Sequence, residues 1–404
     1  MIGEKESFWN KNELRQIHVE LTNACNAACP LCVRFYNNSP NIRPDLEVGQ
    51  ITLAKFKKYF PPEIIQQCHL MMFCGVHGDP GTARDLLEIC EYISSIPSAC
   101  NITMNTNGGM RKPEWWSRLG KLFHDNYWHL TFSIDGLEDT NHLYRRNVNW
   151  NSLIANAKAF IDAGGYAKWD YLIFKHNEHQ LDQARQLSLE LGFKEFIPKK
   201  ALGVDNGVEL VPMPVRDKHG NLDYIIEAPL NPDNRNLENP KGTNNIQYQS
   251  FDIEHYRELK KTKQVSEEFK VRVETVKHKI DSEDNSKYNN LDIKCKSKTP
   301  SGGKEIFVDN FGRVMPCCYV GTMLNGVYID TNTLQLHKQV SDYGWDNFDL
   351  NKFSLYDILS NKHLDRVFAD SWSKPTMAQG KLGYCAETCG TVSSIDRIFT
   401  HKEI

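Results

Sequence analysis

Glu20-Leu21-Thr22-Asn23-Ala24-Cys25-Asn26-Ala27-Ala28-Cys29-Pro30-Leu31-Cys32 carries three cysteines at C-x3-C-x2-C spacing. The loop follows Gln16-Ile17-His18-Val19-Glu20-Leu21, which alternates apolar and polar residues as a strand does. Thiolates are the standard ligands of iron–sulfur clusters, and a cubane normally takes four. Three thiolates hold three corners and leave one iron open to an external ligand, which is where reactivity in such sites resides. Structural zinc is the alternative. It needs four ligands and usually shows paired C-x2-C knuckles, and no fourth ligand stands near this loop in the sequence.

Working outward, residues 16–204 alternate between strand-like and helix-like segments. Strands are expected at 16–21, 69–74, 101–105, 129–134, 168–174 and 194–198, with helices at 52–60, 62–68, 85–95, 115–124, 151–163 and 180–191. Six strand–helix repeats imply a parallel sheet with right-handed crossovers, either a barrel or an open arc. In such sheets the chemistry sits on loops at the C-terminal ends of the strands. The distinctive residues fall there: Cys25 to Cys32, Cys74-Gly75-Val76-His77-Gly78-Asp79-Pro80, Met104-Asn105-Thr106-Asn107-Gly108, and Phe132-Ser133-Ile134-Asp135-Gly136. His77 is a candidate for substrate contact by its position, whereas His176 and His179 read as solvated loop histidines.

The cysteine loop resembles the signature loop of the radical S-adenosylmethionine superfamily. The resemblance implies a partial (β/α)6 TIM-like barrel. It also implies a catalytic 4Fe–4S cluster on Cys25, Cys29 and Cys32, with S-adenosylmethionine chelated by the open iron. Reductive cleavage then gives a 5′-deoxyadenosyl radical that abstracts a substrate hydrogen. Leu31 stands where an aromatic residue near the adenine is common in the family. The segment Gly78-Asp79-Pro80 resembles the family's Gly-Glu-Pro, bringing backbone and an ammonium acceptor to the cofactor. Thr106 and Asn107 match its third-strand segment, and Ser133 and Asp135 its Ser-x-Asp-Gly. Arg145, in Tyr144-Arg145, is similar to a pair found in many members and suits a carboxylate partner. An external one-electron donor such as flavodoxin or ferredoxin is implied as well.

The 404 residues suffice for two domains or one elaborated barrel. A net charge of −3 gives no electrostatic reason to expect nucleic acid or an anionic membrane as partner. No stretch approaches the ~18–20 uninterrupted apolar residues of a membrane helix. The N-terminus lacks a basic segment followed by an apolar run, so a cytoplasmic protein is expected. In that reducing compartment the twelve cysteines are not needed as disulfides; thiols such as Cys68, Cys90 and Cys100 can sit in helices as small apolar residues, and the close spacing of the rest towards both ends points to metal.

Three segments are expected: the barrel at 1–204, a polar insertion or linker at 205–290 that is a candidate lid, and a cysteine-bearing module at 291–404. Lysines and glutamates interleave at 255–280, which reads as a solvated, partly helical face. In the last module, Glu305-Ile306-Phe307-Val308-Asp309-Asn310-Phe311-Gly312-Arg313-Val314-Met315 reads as a β-hairpin running into Pro316-Cys317-Cys318. Cys295, Cys317, Cys385 and Cys389 make a complete four-thiolate set, with Cys318 as spare or substitute. This module resembles the SPASM or twitch auxiliary-cluster domain, an α+β fold, and five cysteines suit one second 4Fe–4S cluster. A zinc ribbon is the alternative here.

A cluster closed by four thiolates is suited to electron transfer. The expected reaction is therefore hydrogen abstraction followed by oxidation or cross-linking of a peptide or a small hydroxylated molecule, the second cluster accepting the electron. A redox-neutral epimerase is the alternative within the same chemistry. A non-catalytic iron–sulfur or zinc protein is the alternative outside it, and the open three-thiolate loop argues against that class.

Overall fold

A computed structural model describes residues 7–44, 46–201, 203–204, 210–237, 288–299, 302–325 and 331–390. Contacts divide the chain into two compact units: His18–Arg43 with Glu47–Tyr248, and Met1–Ile17 with Pro44–Leu46 and Gln249–Ile404.

The first unit is α/β. Its strands are β1 (Leu14–Val19, of which His18 and Val19 fall in this unit), β2 (Leu70–Phe73), β3 (Asn101–Thr106), β4 (His129–Ser133), β5 (Tyr166–Ile173) and β6 (Glu195–Lys200). β2 to β6 pair in parallel in sequence order, with registers such as Phe73↔Met104, Thr106↔Phe132, Ser133↔Asp170 and Leu172↔Lys199. The intervening helices are α1 (Leu53–Tyr59), α2 (Pro62–Gln67), α3 (Leu86–Ser94), α4 (Pro113–Asp125), α5 (Asn141–Tyr144), α6 (Trp150–Asp162) and α7 (Leu181–Leu191). Each strand and long helix expected from periodicity is present, with ends moved by one or two residues. The parallel arc and the strand-end loops are therefore those expected.

Local chemistry sets the boundaries. Thr52 caps α1 by accepting from Lys55 N, Asn149 caps α6 by accepting from Ser152 N at 2.9 Å, and Pro113 opens α4. Gly192 ends α7 with φ of 89°. Between α4, α6 and β4 the apolar faces meet in an aromatic cluster of Trp116, Phe123, Phe132 and Phe160, all fully buried. Burying each such ring contributes about 1.5–3 kcal/mol. The two helices pack closely at Gly120, where a Cβ would lie 2.3 Å from the Phe160 carbonyl.

Strand alternation then separates two faces. Trp169 and Tyr171 of β5 pack on Phe196 of β6, whose ring also receives Arg185 of α7, so these rings lie on the helix side. Lys168, Asp170 and Leu172 of β5 and Glu195, Ile197 and Lys199 of β6 therefore face the concave interior.

The stretch after β6 held a hairpin that its prolines and polarity hid. Met213–Arg216 (β7) and Leu222–Ile226 (β8) form an antiparallel hairpin closed by Asp217 and Gly220. Residues 205–209 and 238–287, including the charged segment 255–280, lie outside the described residues.

In the second unit, Lys304–Val308 (β9) and Val314–Met315 (β10) form the expected hairpin, turned by Asp309 and Gly312. Helices follow at Cys318–Leu324, Thr331–Tyr343, Leu355–Ser360 and Gly383–Cys389. Residues 7–9 belong to this unit's core. Trp9 is 1% exposed, lies edge-on to Phe8 and Trp372, and donates to Glu305 O at 3.1 Å. Ser7 Oγ donates to Asp365 Oδ2 at 2.7 Å.

Candidate functional site

The loop after β1 is held from several sides. Asn23 bridges to the 47–49 segment, donating to Glu47 O at 2.7 Å and accepting from Gly49 N at 2.8 Å. Ala28 N donates to Arg146 O, and Arg34 donates to Asn23 O. The loop after β2 docks on the same backbone: Asp79 N and Thr82 Oγ1 both donate to Ala24 O at 2.8 Å. Gly78 permits that approach, because a Cβ there would stand 2.0 Å from Thr22 O.

Cys29 is buried, and Cys25 and Cys32 are half-buried. Two of the sulfurs receive N–H donors, from Asn107 Nδ2 to Cys25 Sγ and from Arg145 Nη1 to Cys29 Sγ, both at 3.6 Å. Burial pushes all three thiols up, Cys32 to about 11; Asp79 adds to the effect at Cys25, and the Arg145 guanidinium opposes it at Cys29. Metal binding removes those protons. Among the described residues no group of three or more histidine, cysteine, aspartate or glutamate side chains is placed to hold a single metal ion. Cubane thiolates each bond a different iron and so stand further apart than the ligands of one ion. Three thiols on one anchored loop, two of them met by N–H donors, fit that donor set.

The other strand-end residues converge here. Asp79 is buried and accepts four hydrogen bonds: from Thr106 Oγ1 and Gly81 N to Oδ1, both 2.8 Å, and from Asn107 N and Nδ2 to Oδ2, both 2.7 Å. Burial still raises its pKa. Asn107 Nδ2 also meets Asn26 Oδ1 at 2.9 Å. Pro80 is buried in the turn that Asp79 caps. Asp135, wholly buried, accepts from Arg145 Nε at 2.6 Å on one oxygen and from Leu172 N at 2.6 Å on the other. Burial raises its pKa and Arg145 opposes that. Ser133 ends β4, half-buried, and Leu31 is buried against Gly203.

Some features were not legible beforehand. Glu20 Oε1 accepts from the backbone of His77 at 2.6 Å and of Gly78 at 3.2 Å, tying the first loop to the second. His77 is buried with Nδ1 3.8 Å from Glu20 Oε2, and its Nε2 has no hydrogen-bond partner. His176, read as solvated, instead stacks on Phe174 at 5.2 Å; burial lowers its pKa to about 4, while His179 is exposed as expected. Asn177 supports Asp135 by donating to its carbonyl at 3.0 Å. A charged residue at a strand's C-terminal end was the available signal for Glu20.

In the second unit Cys385 and Cys389 stand one turn apart on Gly383–Cys389. Lys294 N donates to Cys389 O at 2.9 Å, bringing Cys295 to that helix. Ser297 Oγ donates to Glu305 O and to Pro316 O, bringing the same segment to Cys317. Burial raises the Cys295 thiol to about 12, with Cys389 adding to it, and raises Cys317, whose neighbours Cys318, Cys295 and Cys389 add further. The four expected thiols are thus gathered, with Cys318 beside them.

No protein-family profile matches the chain. Over 240 residues it is 25% identical to the GTP 3′,8-cyclase of Aquifex aeolicus (strain VF5), an alignment covering 53% of this chain and 71% of that protein. Streptococcus suis SuiB bound to S-adenosylmethionine is similar at TM-score 0.43 and 13% identity, over 76% of this chain and 61% of SuiB, less than two thirds of its length. The structure of anSMEcpe with AdoMet bound is similar at TM-score 0.46 and 13% identity, over 96% of this chain and 92% of that one. None of the described helices is long and apolar enough to cross a membrane. With its C-x3-C-x2-C loop at the end of β1, the strand-end motifs anchored around it and its sequence similarity to the cyclase, the chain is similar to radical S-adenosylmethionine enzymes.

Proposed function

We propose that Cys25, Cys29 and Cys32 hold a catalytic 4Fe–4S cluster and that the net reaction is hydrogen abstraction followed by oxidation or cross-linking of a peptide or small hydroxylated molecule. When bound, the cluster and S-adenosylmethionine supply the 5′-deoxyadenosyl radical by reductive cleavage. The chain's own residues set the stage for it. Asn107 and Arg145 direct N–H groups at two of the sulfurs, and such hydrogen bonds stabilise the more negative, reduced state. Asp135 fixes Arg145 from a wholly buried position. Asp79, gripped by four donors, holds the loops after β2 and β3 against the cysteine loop and presents that backbone to the cofactor. Gly78, Pro80, Thr106, Ser133 and Leu31 line the same mouth in this reading.

Cys295, Cys317, Cys385 and Cys389 would hold an auxiliary cluster that takes the electron from the substrate radical. Their convergence in one unit supports the assignment. The carrying observation for the whole reading is the anchored three-thiol loop with N–H donors at its sulfurs.

Iron, zinc and sulfide content of the anaerobically purified, reconstituted protein is the test, beside a Cys25→Ala/Cys29→Ala/Cys32→Ala variant. About eight irons falling to about four is expected for two cubanes. Stoichiometric zinc with little iron in both proteins would overturn the reading.

A further inference from the structure

The concave face of the barrel holds a buried ion pair that the cofactor assignments leave unused. Asp170 of β5 and Lys199 of β6 both point inward, and Lys199 Nζ donates to Asp170 Oδ2. Asp170 is 8% exposed, and its other oxygen, Oδ1, is buried without a hydrogen-bond partner. One step towards the N-terminal ends of the same strands, Lys168 and Glu195 pair at 2.9 Å, and that Glu195 oxygen also accepts from Tyr166. The lower pair is at the solvent end and engaged; the upper one is sequestered and keeps an acceptor open.

Leaving a buried acceptor unsatisfied is costly, and more so when it is charged. The position of Asp170 says what would relieve that cost. Its register partner on β4 is Ser133, and its carbonyl accepts from Ile134 N at 3.0 Å. Two residues on, Leu172 N binds Asp135, which holds Arg145 beside Cys29. The open oxygen thus stands on the interior face next to the groups that frame the radical site.

We propose that Asp170 and Lys199 anchor the substrate in the barrel, Asp170 Oδ1 accepting from an uncharged donor, a hydroxyl or an amide N–H. The inference rests on the radical reading and narrows its substrate class. Charge decides the donor. Lys199 already neutralises the carboxylate, so a cationic group would meet the ammonium's repulsion, and an anionic one would meet the carboxylate's. A neutral donor fills the open lone pair and disturbs neither partner.

The test uses the reconstituted full-length protein without reductant and ligand-observed NMR titration of two matched pairs of probes. N-acetylalanine methylamide is compared with alanine methylamide, and glycerol with 2-aminopropane-1,3-diol. The wild-type protein is expected to bind the neutral member of at least one pair more tightly. Lys199→Met, which bares the carboxylate, should reverse that order by on the order of tenfold, while Lys199→Arg retains it and Asp170→Asn, which leaves the ammonium unpaired, disfavours the cationic member further. The responding pair tells amide from hydroxyl. A wild-type preference for the cations, an order unchanged in Lys199→Met, or binding indifferent to Asp170 overturns the proposal. The wild-type ranking stands as a test even where a variant fails to fold. Failure of the protein to cleave S-adenosylmethionine is a separate result that counts against the radical reading, because probe binding is read without reduction.

Discussion

Arg145 links the buried carboxylate of Asp135, 2.6 Å from its Nε, to the sulfur of Cys29, 3.6 Å from its Nη1. The guanidinium is thereby fixed in one orientation beside a cluster ligand. Removing one partner of a buried ion pair leaves the other uncompensated, typically at about 3–5 kcal/mol. Asp135→Asn is expected to lower stability by a cost of that order in urea titrations and to slow cleavage of S-adenosylmethionine. Arg145→Lys keeps the charge but loses the fork, so it should slow cleavage with a smaller loss of stability. Equal stability and activity in both variants would remove Arg145 from the site.

Asn107→Ala removes the N–H at Cys25 Sγ and two of the four donors to Asp79 if the loop shifts, one if it does not. N–H donors to a cluster thiolate stabilise the reduced state, so the midpoint potential of the N-terminal cluster should fall. An EPR-monitored redox titration reads this directly, and an unmoved potential would show that the donor does not act on the cluster.

Gly78→Ala would force a Cβ to within 2.0 Å of Thr22 O and 2.8 Å of Ala24 O, both backbone atoms of the cysteine loop. Overpacking of this kind costs about 1–3 kcal/mol. Lower melting temperature and poorer iron loading at the N-terminal site are expected, with the C-terminal site loaded as before.

Burial raises the Glu305 carboxyl to about 7, against a hydrogen bond from Gln16 that lowers it. A folded pKa above the unfolded one contributes stability that is full below the unfolded value of about 4.5 and is lost as pH rises through about 7. Glu305→Gln should therefore gain on the wild type between pH ~5 and pH ~8, by up to about 3 kcal/mol. Denaturant titrations at those two pH values check it; a difference independent of pH would contradict the assignment.

Trp9→Ala tests whether the N-terminal residues belong to the second unit's core. Truncating a fully buried tryptophan costs about 3–5 kcal/mol. Proteolysis should quicken at sites in the C-terminal unit, while the barrel's fragments stay resistant. Quickened cleavage confined to the barrel would assign Trp9 elsewhere.

Much of the barrel was legible because its periodicities are local. The apolar spacing in Leu86–Ser94 and Trp150–Asp162, and the alternation before Cys25, follow from which face each residue must bury. The hairpin β7–β8 was hidden because Pro214 sits in a strand and polar residues flank it, so no local pattern survived. His176 reads as solvated in the sequence because its burial, like its stacking on Phe174, is set by the fold and leaves no local pattern.

The sequence by itself determined the cysteine spacing, the order of strands and helices, and the placing of Gly78-Asp79-Pro80, Thr106-Asn107 and Ser133-x-Asp135 at strand ends, since these depend on covalent order and short-range pattern. Tertiary structure decided what those side chains touch: that Asp79 grips Asn107, that Asp135 turns to Arg145 rather than outward, that Glu20 ties two loops, and that Asp170 meets Lys199. It also decided that Trp9 joins Trp372, far along the chain. Such contacts join residues tens to hundreds of positions apart, and hydrogen bonds and burial are properties of the space those residues share.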